Sequence, residues 1–269
     1  MLNKVRVLVF TDWFLPGYRA GGPIRSVANL LELCKDDIDF YVLTSDRDFQ
    51  KESAYSDVPV DCWLKVDGYH VMYTSPGRRV ELMHSEISAR EFDRYYFNSF
   101  FSREFTVTPI LLLRKLGNLG KVVLAPRGML GEGALSLKPT KKQIFITLFK
   151  ILGIHKKIVF HSTALSESRS IQKVFGNLDL VEIGNVPVIP EEHEKRQNED
   201  VRKFVFTSRI SPKKNLDFLL KVWMNAKIDN GRLDIYGTKE DLEYFKACEK
   251  LTVDRPDISL NDAITPTEV

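Results

Sequence analysis

Apolar residues in this chain recur with two different periods, and the two alternate along most of its length. Short β-branched and aromatic runs bounded by turn residues predict strands at 5–11, 40–44, 70–73, 95–98, 122–125, 158–161 and 180–183. Between them the spacing turns helical. Pro23 opens a helix with Ile24, Val27, Leu30 and Leu31 on one face, and further helices are expected at 110–116, 140–152 and 166–175. Residues 45–67 read mostly as loop. After 183 the chain changes to proline and dense mixed charge, the composition of a linker. The alternation then resumes. A strand at 203–207, apolar enough to be buried, leads through a break at 208–212 to a helix from Lys213 with Leu216, Leu219, Leu220 and Trp223 on one face. A strand at 233–236, a helix at 240–251 and a strand at 258–260 follow. Such alternation predicts an α/β fold with Rossmann-like parallel sheets covered on both faces. It divides into a first domain at 1–186, a linker at 187–202 and a partial second domain at 203–269.

Composition narrows the class without choosing a function. With 43% hydrophobic and 28% charged residues, 269 residues can build a substantial core. A formal charge of +3 is too small to argue for nucleic acid. Three widely spaced cysteines, Cys34, Cys62 and Cys248, give neither a disulfide framework nor a metal spacing, which suits a reducing cytoplasm. Lys4 runs straight into the first strand with no signal-peptide pattern, and no stretch is long and apolar enough to span a bilayer.

Candidate chemistry clusters where strands give way to helices. Arg209 and Lys214 fall on the loop after strand 203–207, at the carboxyl edge where open α/β sheets bind ligands. Two cations beside a helix N-terminus suit a diphosphate, although a solvated basic turn has the same spacing. Gly21-Gly22 opens the first helix, as a phosphate cradle or as a turn that needs positive φ. Arg127-Gly128 ends strand 122–125 at the same kind of edge, as a charge stabiliser or as a structural loop arginine. Glu167 sits where an acid caps a helix, and His161 where a strand-end histidine finds partners in the fold. No His, Cys and carboxylate cluster has ligand spacing, so no protein-bound metal is expected. The apolar stretch 144–152 is flanked by Lys138, Lys141 and Lys142 on one side and Lys156 and Lys157 on the other. That pattern fits a helix buried beneath the cleft better than it fits a helix lying on an anionic membrane surface, and both readings stay open.

The run Phe204-Val-Phe-Thr-Ser-Arg-Ile-Ser-Pro-Lys-Lys-Asn215 resembles the entry to the second domain of retaining glycosyltransferases of the GT-B fold, family 4 type. Gly21-Gly-Pro-Ile-Arg-Ser26 and the Pro-Arg-Gly-Met-Leu run at 126–130 are similar to the corresponding loops of that family, the latter in a bacterial polysaccharide form. The resemblance implies transfer of a sugar, with retention, from a nucleotide diphosphate donor to a glycan or lipid-linked acceptor. Arg209 and Lys214 would hold the diphosphate, and the Gly21-Gly22 loop would let backbone approach the donor phosphates or the acceptor. Many members place a histidine where this chain has Arg127, so a histidine-based role is not expected here. The donor would be a substrate and no cofactor is implied. The setting would be cytoplasmic, with peripheral association at the inner face of the membrane left open. Members usually continue for roughly another hundred residues, about one small domain. That stretch holds a Glu-x7-Glu signature, whereas Glu240 and Glu249 fall on a predicted helix, so a C-terminally truncated member is expected. A truncated, non-catalytic glycan- or nucleotide-binding module and a nucleotide-sugar epimerase are the rival readings. A dinucleotide oxidoreductase is disfavoured, because its glycine fingerprint does not follow the first strand.

Overall fold

The computed structural model describes residues 4–137, 139–187, 201–226 and 228–264. The chain divides into two compact units, one carrying an eight-stranded sheet and the other a three-stranded sheet. Most of the expected linker and Lys138 lie outside the described residues.

The first unit begins with β1 (Val5–Phe10), α1 (Gly22–Cys34), β2 (Ile38–Ser45), β3 (Trp63–Val66), β4 (Tyr69–Thr74) and α2 (Arg79–Ala89). It continues with β5 (Arg94–Phe97), α3 (Thr108–Lys115), β6 (Val122–Leu124), a single turn α4 (Glu132–Leu135), α5 (Pro139–Ile151), β7 (Val159–Ser162), α6 (Leu165–Phe175) and β8 (Leu180–Glu182). The strand order is β3-β4-β2-β1-β5-β6-β7-β8, parallel throughout except for β3 against β4. The chain builds outward from β1 through β2 to β4, then returns to β1's other side and lays down β5 to β8. The order therefore reverses between β1 and β5, and at such a switch point the two following loops part and leave a crevice.

Strand parity sorts the core into two layers. Leu8, Phe10, Leu43, Met72, Phe97, Leu124 and Phe160 point to one face, where α2, α3, α5 and α6 supply Leu82, Met83, Leu113, Ile146, Phe149, Ile171 and Phe175. Val7, Val9, Phe40, Val42, Val71 and Tyr96 point to the other, against Val27 and Leu31 of α1. Across β1 and β5, Phe10 and Phe97 pair in register with their rings stacked 4.7 Å apart. Full burial of side chains of this size stabilises by roughly 1.5–3 kcal/mol each. That holds the switch point rigid beneath its loops.

The second unit contains β9 (Arg202–Thr207), α7 (Leu216–Asn225), β10 (Gly231–Tyr236), α8 (Leu242–Leu251) and β11 (Ile258–Asn261). Its sheet is parallel in the order β11-β10-β9. Its core gathers Leu216, Leu220 and Trp223 of α7, Leu233 and Ile235 of β10, and Phe245 and Cys248 of α8.

Four features depart from the sequence expectation. β3 lies inside the stretch read as loop and pairs antiparallel at the sheet edge. α2 has no counterpart in the expected helices. β9 is largely exposed rather than buried, because it pairs with β10 alone among the described strands, and Phe204 packs only edge-on against Trp223. The helix expected from Lys213 starts at Leu216. Pro212–Lys214 form a 3-10 turn, and Asn215 at φ +57° breaks it from α7.

Candidate functional site

In the first unit the carboxyl edge of the sheet is organised around Arg127. Arg127 and Gly128 both take left-handed backbone, φ +55° and +73°, and Met129 N–H closes the turn on the Pro126 carbonyl at 3.1 Å. Two consecutive positive φ values suit a glycine in the second position but strain an arginine in the first. What the turn achieves is to fold the guanidinium back over the strand ends. Its Nε donates to Asn98 Oδ1 at 2.6 Å, one Nη to Asn185 Oδ1 at 2.7 Å and the other to Tyr96 Oη at 2.8 Å. These bonds use three of its five N–H donors.

Each partner extends the network. Asn98 is buried just past β5, and its amide nitrogen donates to the Pro23 carbonyl at the start of α1, 3.1 Å away. Arg127 is thereby tied to Pro23 at the start of α1, across the switch point. Tyr96 Oη lies 2.9 Å from His161 Nδ1, and His161 Nε2 lies 2.9 Å from the Ile183 carbonyl. A carbonyl can only accept, so Nε2 carries the proton and Nδ1 accepts from the tyrosine. Burial is the main cause that pushes Tyr96 above the usual phenol range, with Arg127 opposing it. Burial also holds His161 below the ordinary imidazole value, and the charge of Arg127 adds to that effect. His161 is a neutral, satisfied strand-end residue, as its position in the sequence suggests.

Glu167 acts as a clamp. One carboxylate oxygen accepts from Gly128 N–H at 2.6 Å, and the other from both the backbone N–H and the hydroxyl of Thr163 at 2.8 Å. The acid thus caps the first turn of α6 and pins the turn that carries Arg127. Beside the network runs a cleft of about 340 Å³, walled mainly by Val7, Leu30, Phe40, Val123, Val159 and Val181, with Arg127, Tyr96 and His161 as polar wall residues.

Gly21 has φ +69°, which a residue with a side chain adopts only under strain, while space over both Gly21 and Gly22 is open. The Gly21 N–H is itself bonded to the Tyr18 carbonyl at 2.9 Å, so the entry presents open space over the two glycines rather than a free Gly21 donor. Asp12, two residues past β1, adds a partly buried carboxyl at the same edge. Burial raises it above the ordinary range, against a 2.5 Å hydrogen bond from Ser102 and the nearby charge of Arg79. A partly buried acid shifted upward at a switch point is a candidate proton carrier that sequence reading passed over.

In the second unit the loops after β9 and β10 run side by side beyond the sheet. Ser208 N–H bonds the Tyr236 carbonyl, Ile210 N–H bonds the Thr238 carbonyl, and Ile210 bridges Lys239. Gly237 makes this approach possible, since a Cβ there would stand 1.8 Å from the Ser208 carbonyl oxygen. Arg209 leaves this ledge with one Nη donating to Glu240 Oε1 at 2.9 Å, both side chains about one-third exposed. Lys214 stands exposed at the end of the Pro212–Lys214 turn. Sequence spacing singled out Arg209 and Lys214 as candidates but gave no sign that Glu240 would hold the arginine. Among the described residues no group of three His, Cys, Asp or Glu side chains is placed to hold a metal ion.

Two α/β units, one with a mostly parallel sheet and one with a parallel sheet, define a GT-B-like fold. Solved structures match it over almost the whole chain. HepE of Anabaena, in complex with UDP and glucose, superposes with a TM-score of 0.61 at 11% identity, covering 98% of this chain and 70% of its own. The trehalose-6-phosphate synthase OtsA gives 0.58 at 10% identity over 97% of this chain and 74% of its own. A glycosyltransferase from Rickettsia africae ESF-5 gives 0.54 at 12% identity over 98% and 69%. No family model and no curated protein matches the sequence.

Proposed function

We propose that this protein is a glycosyltransferase that moves a sugar from a nucleotide diphosphate donor to a glycan or lipid-linked acceptor. The observation that carries the proposal is the Arg209–Lys214 loop at the carboxyl edge of the second sheet, in a fold shared with a protein solved with UDP and glucose. In this reading Arg209 exchanges Glu240 for the donor's diphosphate, gripping it with paired N–H groups, while Lys214 adds a point charge. Arg127 offers a guanidinium to an anionic or hydroxylated ligand on the first unit, and the open space over Gly21 and Gly22 lets backbone approach the donor phosphates or the acceptor. The acceptor hydroxyl oxygen bonds the anomeric carbon as the bond to the diphosphate oxygen breaks. Its proton passes to the departing diphosphate on the same side of the sugar, which retains configuration. Charge neutralisation of the leaving group supplies the drive, and the chemistry asks for no resident cofactor. The resemblance of Pro126–Leu130 to a bacterial polysaccharide form, together with the family 4 type of entry motif, favours surface polysaccharide synthesis in the cytoplasm as the setting.

The test is a panel of UDP-, GDP- and ADP-sugars incubated with the purified protein, read as released nucleoside diphosphate and as donor binding by calorimetry. Release from one donor, with binding weakened about tenfold or more by Arg209→Met, is expected. Binding without release, on any acceptor extract, would favour a non-catalytic nucleotide-binding module. Absence of both would overturn the assignment.

A further inference from the structure

Charge in this chain is segregated in a way its small total hides. Residues 105–166 contain ten lysines and arginines and a single acid, Glu132, a formal +9. The whole chain carries +3, so the remaining residues carry −6. The basic segment includes α3 and α5, which pack side by side on one face of the first unit's sheet.

The same two helices leave aliphatic side chains in solvent. Ile144, Leu148 and Ile151 follow one another at i, i+4 and i+7 along α5, with 57%, 52% and 74% of their surface exposed. The inward positions Ile146 and Phe149 already anchor the helix to the core, so this outer ridge is surplus to folding. Across from it on α3, Leu111 is 43% exposed. Between ridge and Leu111 lies a groove of about 110 Å³ whose lining, apart from Thr106, is wholly apolar and includes Ile110, Phe145 and Leu152. Exposed cations frame this surface: Arg114 and Lys115 at the end of α3, Lys141 one turn before Ile144, and Lys156 and Lys157 just beyond α5.

We propose that the α3–α5 face docks on an anionic lipid bilayer, with the Ile144–Leu148–Ile151 ridge entering the headgroup–acyl boundary and the surrounding lysines meeting lipid phosphates. Aliphatic ridges framed by lysines are the pattern of interfacial helices, and Glu104, the acid beside the groove, is paired with Arg79. The rims and cores of protein interfaces instead favour aromatic residues and arginine and are depleted in lysine. Nucleic acid would be served by the cations but not by three exposed aliphatic residues in a row. Neither helix is long and apolar enough to cross the membrane, so the contact is one of surface. The proposal rests on the first unit alone and stands whether or not the donor reading does.

Flotation of the purified chain with vesicles tests it, using phosphatidylcholine alone and phosphatidylcholine with about 30% phosphatidylglycerol. The chain should float with the anionic vesicles and at least about tenfold less with the neutral ones, and the difference should shrink as salt is raised. Substituting Ile144→Ser, Leu148→Ser and Ile151→Ser together should lower partition about tenfold or more. Ile151→Ser alone, at the most exposed position, should lower it severalfold with the circular dichroism unchanged. Lys141→Gln with Lys156→Gln and Lys157→Gln should weaken binding to the anionic vesicles only. Equal flotation of the parent and the serine variants would overturn the proposal, as would no flotation with anionic vesicles. So would tight binding to an oligonucleotide that the serine substitutions leave intact and that vesicles fail to displace.

Discussion

Arg127 is the residue where backbone strain and side-chain bonding can be separated by experiment. Arg127→Met removes all three hydrogen bonds made by the guanidinium. Of the partners, Tyr96 keeps His161 and Asn185 faces water, but Asn98 is only 2% exposed and its Oδ1 is left without that donor. An orphaned buried acceptor costs about 1–3 kcal/mol, and the two remaining bonds add about 1 kcal/mol between them, so a loss of roughly 2–4 kcal/mol is expected. Arg127→Gly removes the same bonds but accepts the φ of +55° without strain. Relief of roughly 1–2 kcal/mol, offset in part by glycine's greater freedom in the unfolded chain, should leave it about 1 kcal/mol more stable than Arg127→Met. Urea unfolding in a Trp223→Phe background measures this, because Trp13 and Trp63, both in the first unit, then report by fluorescence. Equal midpoints for the Met and Gly variants would show that the backbone there is unstrained. Parent-like stability of Arg127→Met would show that the network carries no weight.

Gly237→Ala should destabilise the second unit by about 3 kcal/mol or more, seen as a lowered thermal midpoint by Trp223 fluorescence, because its Cβ would overlap the Ser208 carbonyl. Gly22→Ala, which meets open space, should change stability by less than about 1 kcal/mol, so any large loss of transfer activity in it would mark close ligand approach. Glu240→Gln should free Arg209 and tighten nucleoside diphosphate binding by about three- to tenfold in calorimetry, and the gain should vanish when Arg209→Met is added. Weaker binding in Glu240→Gln would argue that the acid itself serves the ligand. The folded-state depression of His161 and His155 makes stability full above their unfolded value of 6.5 and lost progressively as pH falls below it. Urea midpoints compared at about pH 7.5 and 5.5 should therefore fall for the parent and fall less for His161→Gln combined with His155→Gln.

Most of the fold was readable because its strands are short, apolar and punctuated by turn residues, and its helices mostly show a clear inward face. α2 escaped because its buried set, Arg79, Leu82, Met83 and Ile87, includes a charged residue, and because polar residues crowd the rest of the helix. Arg79 is held by Thr74, five residues before it, and by Ser45 and Glu104, which lie 34 and 25 residues away in sequence. β3 escaped because Trp63–Val66 is only four residues long and owes its shape to pairing with β4. The candidate site followed the same division. Arg127, Arg209 and the glycine pair are local signals, loop residues that end strands or open helices. Asn98, Asn185, Glu240 and Gly237 derive their importance from chain segments that only folding brings near, and Asn98 and Asn185 reach Arg127 from 29 and 58 residues away.

The two rims of the large sheet differ in kind, and the difference bears on solubility. At one rim the antiparallel β3 turns its outer edge toward solvent with Lys65 exposed, while the Arg90 guanidinium lies over the Trp63 ring at 5.5 Å. A lysine on a short border strand discourages a foreign chain from zipping onto it. At the other rim, among the described residues, β8 offers just Leu180–Glu182, and Glu182 is drawn inward to Ser168 at 2.5 Å. So brief a border gives an incoming strand few rungs to climb, and the molecule guards one flank by charge and the other by brevity.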